Sequence, residues 1–148
     1  MSRTGGDSPA LELFSASVET EMALPLAFAA ISAGFPSAAL DFDDLKIDLN
    51  RELVRHPACT FFARVKGVSM RDAGIGDGDL LVIDKSLAAT DGRVAVCFID
   101  GEFTVKRIKI MGKETWLMPA NEAYSPLKIT DANDFRIWGV VTHSIKAH

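Results

Sequence analysis

Residues 66–79 read KGVSMRDAGIGDGD, and Ser69 stands two residues beyond Gly67, just after a β-rich run. In a tight glycine-containing bend, a serine presents its Oγ to solvent and offers backbone N–H groups to a developing oxyanion. The plainer alternative is a turn serine, or a helix N-cap with Asp72 in the capping-box position. A nucleophilic serine needs a base. The three histidines are His56, His143 and His148, and no local pattern pairs His56 or His143 with a carboxylate. A Ser-His-Asp triad stays open, since its members need only meet in space. The other candidate base is a lysine, whose pKa must fall by several units from about 10.4 before it accepts a proton near neutrality; desolvation can do that. Lys106 lies in EFTVKRIKI. By period-two alternation it shares a face with Thr104, Ile108 and Ile110, opposite Phe103, Val105, Arg107 and Lys109. The alternative is an exposed lysine on a twisted edge strand.

The elements that must position these residues are mostly strands. TFFARV (60–65) is a β-rich run, and LLVID (80–84) follows the turn-rich GIGDGD. RVAVCFI (93–99) and EFTVKRIKI (102–110) flank Asp100-Gly101, a strong local hairpin signal. WLMPA (116–120), PLKI (126–129) and FRIWGVVTHSI (135–145) complete the set. Short strands separated by glycine-rich turns predict a mainly β, compact sheet or barrel-like fold with little helix. Residues 1–45 are expected to form a flexible N-terminal arm, in which LELFSASVETEM has the makings of a short helix. Pro25, Gly34 and Pro36 interrupt anything longer. Residues 46–148 form the expected β domain.

The chain has 148 residues and a net charge of −4, from 16 basic and 20 acidic side chains. That length suits one domain. Apart from Lys106, Arg107 and Lys109 the cations are not clustered, so direct binding driven by phosphate contacts is disfavoured. Cys59 and Cys97 fit no metal-ligand spacing, and Cys97, inside VAVCFI, is expected to be a buried thiol. No apolar run reaches the roughly 18 residues of a spanning helix. ALPLAFAAISA (23–33) has the look of a signal-peptide core, but Asp7, Glu12, Glu19 and Glu21 precede it against a single Arg3. A secretory signal wants the opposite charge there.

Four stretches together identify a resemblance: AGFPS (33–37); GVSM with GIGDGDLLVID (67–84); DGEFTVKRI (100–108); and NEAYSP with GVV (121–126, 139–141). KIDLN (46–50) and HPA (56–58) also fit. The sequence resembles the LexA/UmuD-like self-cleaving serine peptidases, most closely their UmuD branch, from about residue 31 to the end. Ser69 and Lys106 stand 37 positions apart, as the dyad spacing of that family leads one to expect. The resemblance implies that Ser69 is the nucleophile, Lys106 the neutral general base and Ala33-Gly34 the scissile bond. Backbone N–H groups of Val68 and Ser69 are the expected oxyanion donors. The sequence departs from the UmuD pattern in three places. Ala33 replaces the usual cysteine, as in LexA; Val68 stands where aspartate is usual; and the arm is longer.

The resemblance further implies a cytoplasmic homodimer that uses no cofactor or metal and no membrane. Its self-cleavage would be stimulated by a RecA filament on single-stranded DNA. The shortened product, residues 34–148, would join an error-prone translesion DNA polymerase of the UmuC type. Two other functions share these features: a non-cleaving polymerase accessory or interaction protein, and a LexA-like transcriptional regulator. The intact Ser69 and Lys106 argue against the first. The second needs a DNA-binding domain, and about 33 weakly periodic residues are too few for one, so no sequence-specific DNA binding is expected.

Overall fold

The Asp100-Gly101 dipeptide makes the turn that its flanking strands demand. Both residues have positive φ, 47° and 90°, as a two-residue hairpin with right-handed strand twist requires. The strands it joins pair from Ile99↔Glu102 to Val94↔Arg107. The computed structural model describes residues 11–21, 23–27 and 42–148. In chain order the strands are β1 (Leu11–Ser15), β2 (Ala23–Ala27), β3 (Phe42–Asp48), β4 (Thr60–Val65), β5 (Leu80–Asp84), β6 (Val94–Ile99), β7 (Glu102–Met111), β8 (Glu114–Met118), β9 (Leu127–Lys128) and β10 (Phe135–Ile145). A short helix, α1 (Leu49–Leu53), follows β3, capped by the Asp48 carboxylate, which accepts from Asn50 N at 3.0 Å.

Eight strands form one antiparallel sheet in the order β1-β4-β5-β10-β6-β7-β8-β9, and β2 pairs with β3 separately. The mainly β fold with little helix is as expected. The continuous apolar run in β6 reflects burial on both faces. Val96 joins a cluster with Leu81, Ile83, Ala63, Val65 and Val105. Ala95 and Cys97 join Ile108 and Leu117 on the other side. Alternation along a strand puts neighbours on opposite faces, so a strand covered on both sides reads as unbroken apolar sequence.

One expectation is corrected. The stretch beginning LELFS is a strand rather than a helix: β1 pairs with β4 through Leu11↔Val65 to Ser15↔Phe61. Leu11 and Leu13 alternate, and Leu11 is buried in the core beside Val65. The open edge of β4 supplies the backbone partners that a short helix would otherwise make for itself. Among the described residues no helix is long and apolar enough to cross a membrane.

Candidate active site

Where β4 ends, the chain turns at Gly67, whose φ of 96° is strained for any residue with a Cβ. Gly67 N donates to Asp77 Oδ1 at 2.8 Å, and Gly78 N donates to Val65 O at 2.8 Å. Two points of one loop thus brace the bend that carries Ser69. Behind it, a 3-10 turn at Arg71–Ala73 leads back toward β5. Asp72 does not complete a capping box with Ser69. Its backbone N–H donates to Ala120 O at 2.7 Å, which leaves the Ser69 hydroxyl free for another partner.

That partner comes from β7. Lys106 Nζ lies 2.9 Å from Ser69 Oγ, 2.9 Å from Thr104 Oγ1 and 3.1 Å from the carbonyl oxygen of Val105. The lysine is half-buried. Burial pushes its pKa below the ordinary lysine value, against a smaller opposing contribution from Cys97. Burial in turn raises the Cys97 thiol to about 12, so it is held as the expected inert buried thiol. The apolar surroundings of Lys106 differ in part from the alternation argument. Ile108 is fully buried, but Ile110 emerges to 41% exposure at the strand end, while Val105 on the opposite face is buried. Cross-strand Ala95, opposite Lys106, supplies apolar cover that alternation along one strand does not reveal.

The serine's backbone is held from the far side by the segment that follows β8. Ala120 N donates to Ser69 O at 2.8 Å, and the buried Asn121 donates from Nδ2 to Val68 O at 2.9 Å. Arg71 N also donates to Val68 O, at 3.1 Å. In a trans peptide the C=O and the following N–H point in opposite directions. Pinning the Val68 carbonyl therefore aims the Ser69 N–H the other way. Among the described residues, neither the Val68 nor the Ser69 N–H donates to a protein acceptor. Thr104 was on the expected face, but alternation says nothing of its bond to Lys106. Asn121 carried a signal, because it opens the NEAYSP stretch. Ala33 and Gly34 lie outside the described residues.

The histidines are elsewhere. His56 Nδ1 meets Asp84 Oδ2 at 2.5 Å, and Ser86 Oγ meets Asp84 Oδ1 at 2.5 Å. Burial opposes ionisation of Asp84, but the bonds from His56 and Ser86 outweigh it and hold the carboxyl below its usual range. Ser86 Oγ also approaches the same ring nitrogen, Nδ1, at 3.2 Å. In a catalytic triad the imidazole stands between serine and carboxylate, using its two nitrogens separately. This trio lacks that order and does not include Ser69.

The chain matches the Peptidase S24-like family over residues 25–142. It belongs to that family. The LexA/UmuD-like resemblance in its sequence is thereby borne out, and the family is one of serine peptidases. The chain is 44% identical over 126 residues to Protein MucA of Salmonella typhimurium, covering 84% of this chain and 86% of the relative. It is 43% identical over 110 residues to Protein SamA of Salmonella typhimurium strain LT2, covering 74% and 76%. It is also 41% identical over 126 residues to a LexA repressor of Acidithiobacillus ferrooxidans, covering 83% of this chain and 60% of that one. Within this S24-like chain, β1 lies ahead of the matched region, whereas the Ser69 bend, β7 and Asn121 all lie within it.

Proposed function

We propose that this protein is a UmuD-like actor of the SOS response that cuts itself between Ala33 and Gly34, with Ser69 as nucleophile and Lys106 as general base. The observation that carries the reading is the 2.9 Å approach of Lys106 Nζ to Ser69 Oγ in a half-buried setting. A neutral amine has two N–H donors and one lone pair. Val105 O can only accept, so it takes one N–H; Thr104 Oγ1 takes the other. The lone pair then faces Ser69, and the hydroxyl proton is donated to it. As the proton moves to Lys106, Ser69 Oγ bonds to the Ala33 carbonyl carbon, and the negative oxygen accepts from the Val68 and Ser69 N–H groups. Lys106 next delivers the proton to the Gly34 nitrogen and the peptide bond breaks. Water, deprotonated by Lys106, attacks the ester, freeing the Ala33 carboxyl group and restoring Ser69.

In this reading residues 1–45 are the arm and residues 46–148 the catalytic domain, acting as a cytoplasmic homodimer. Small residues at Ala33 and Gly34 allow the serine to approach. A RecA filament on single-stranded DNA raises the population of the docked arm. The product, residues 34–148, keeps both catalytic residues and serves as accessory subunit of a UmuC-type translesion polymerase. The test is incubation with RecA, single-stranded DNA and a nucleotide, followed by sequencing of product N-termini. A product beginning at Gly34 is expected, and none from Ser69→Ala. Cleavage elsewhere, or cleavage that survives loss of the serine, overturns the reading.

A further inference from the structure

We propose that β1 is a displaceable cover on the edge of β4, and that once the β2–β3 connection is cut this edge docks an extended segment of a partner protein. That segment would carry an apolar–acidic–apolar pattern. The inference rests on the cleavage reading above only for the physiological source of the cut. The bond Ala33-Gly34 falls in the connection between β2 and β3, and those strands pair from Ala23↔Asp48 to Ala27↔Phe42. A cut there leaves residues 1–33 held at two places, by β2 on β3 and by β1 on β4. Cleavage therefore nicks the molecule without in itself releasing the arm.

The β1 ladder is short and lies at the margin of the eight-stranded sheet. Beyond its five residue pairs it gains one more backbone bond, Ala16 N to Thr60 O at 3.2 Å. Its recognition features are specific. Leu11 is buried among core residues, and Leu13 packs partly against the same cluster. Between them Glu12 meets Lys66 Nζ at 3.0 Å. Phe14 points away and is half exposed. A strand that replaces β1 must satisfy the β4 backbone and put apolar side chains at the Leu11 and Leu13 positions. Between them it needs a carboxylate for Lys66. Strand addition to an exposed edge works in this way, with backbone bonds for affinity and alternate side chains for selectivity. While the chain is intact, β1 competes with any rival at the high local concentration that covalent tethering provides. A nick makes that tether non-covalent. The uncovered edge runs directly into Gly67 and Ser69, so an occupant there would sit beside the peptidase bend.

The test uses the full chain carrying Ser69→Ala and a foreign protease site inserted within residues 28–41, so that the nick does not depend on self-cleavage. The probe is a fluorescein-labelled peptide of residues 9–17, PALELFSAS. After nicking, both fragments are expected to stay together in native mass spectrometry. The peptide is expected to bind the nicked chain at least ~10-fold tighter than the uncut chain. In the nicked chain an arm displaced from β4 is held by the β2–β3 pairing alone and can leave, whereas in the uncut chain it stays covalently joined and competes for rebinding. A Leu11→Asp peptide is expected not to bind. A Glu12→Lys peptide is expected to bind poorly and to recover on a nicked chain carrying Lys66→Glu. Immediate separation of the fragments, equal peptide binding before and after the nick, no binding to either, or indifference to the charge reversal overturns the proposal.

Discussion

Lys106 offers one nitrogen to three oxygens, and its protonation state decides what it can do with them. Burial lowers its pKa, so the neutral fraction grows at lower pH than for a free lysine. Self-cleavage is expected to rise about tenfold per pH unit on the acid side and to level off below the ordinary lysine value, as a general base requires. Product formation in buffers of graded pH, without a filament, measures this; a flat profile rules out Lys106 as the base. Lys106→Ala is expected to abolish cleavage at high pH as well as at neutrality. Thr104→Val removes an acceptor that stabilises the ammonium more than the amine. The midpoint of the pH–rate profile is therefore expected to move to lower pH, with a slower plateau. Asn121→Ala is expected to behave differently. It leaves the Val68 carbonyl held only by the longer bond from Arg71 N and loosens the aim of the Ser69 N–H, so the plateau falls ~10-fold or more. The midpoint stays in place, because Lys106 is untouched.

At the scale of elements, the loop behind Ser69 depends on the C-terminal tail. Lys146 Nζ binds both carboxylate oxygens of the buried Asp79, at 2.9 and 2.7 Å, and Gly76 N donates to the same group at 2.8 Å. Burial raises the Asp79 pKa, but these partners outweigh it and the net shift is downward. A carboxylate with a folded pKa below its unfolded value contributes stability above the unfolded value and loses it as pH falls through the folded one. Asp79→Asn is therefore expected to be less stable than the parent at about pH 7, with the gap closing toward about pH 3, in urea unfolding. A gap that persists in acid would mean that Asp79 acts by shape alone. β10 gives a second element test. A Cβ at Gly139 would lie 2.5 Å from Ile83 Cγ2, where β10 crosses β5. Gly139→Ala is expected to cost about 1–3 kcal/mol through overpacking, read from thermal unfolding.

For the whole molecule, stability rests on a sheet covered on both faces around β6 and β7. Ile108 is fully buried beside Ala95, Cys97 and Leu117. Ile108→Ala is expected to cost about 2–5 kcal/mol in denaturant unfolding. Such a loss would disturb the strand that carries Lys106 as well as the core. The sheet order also shows why the site needs the whole fold. Ser69 leaves β4 near one end of the order, while Lys106 sits on β7, four places along from β4. The bend that carries Ser69 is held by Ala120 and Asn121, just past the end of β8. Much of this was legible beforehand, because strands and turns are decided by near neighbours. β-rich runs marked β4, β5, β7 and β10, and Asp100-Gly101 marked the hairpin. The family resemblance pointed to Ser69 and Lys106, and the fold brings their side chains within 2.9 Å of each other. Other features depend on partners far along the chain. LELFS has no local reason to be a strand until the β4 edge accepts it. No local pattern pairs His56 with a carboxylate; folding brings it Asp84 from 28 positions away. Asn121 gains its contact with Val68 across 53. Local sequence determined the strands from β4 onward, the turn and the reactive residue types, because steric and hydrophobic preferences act between neighbours. Only the tertiary structure decided which groups touch, which lysine is desolvated and what covers β4, because burial is a property of the assembled sheet.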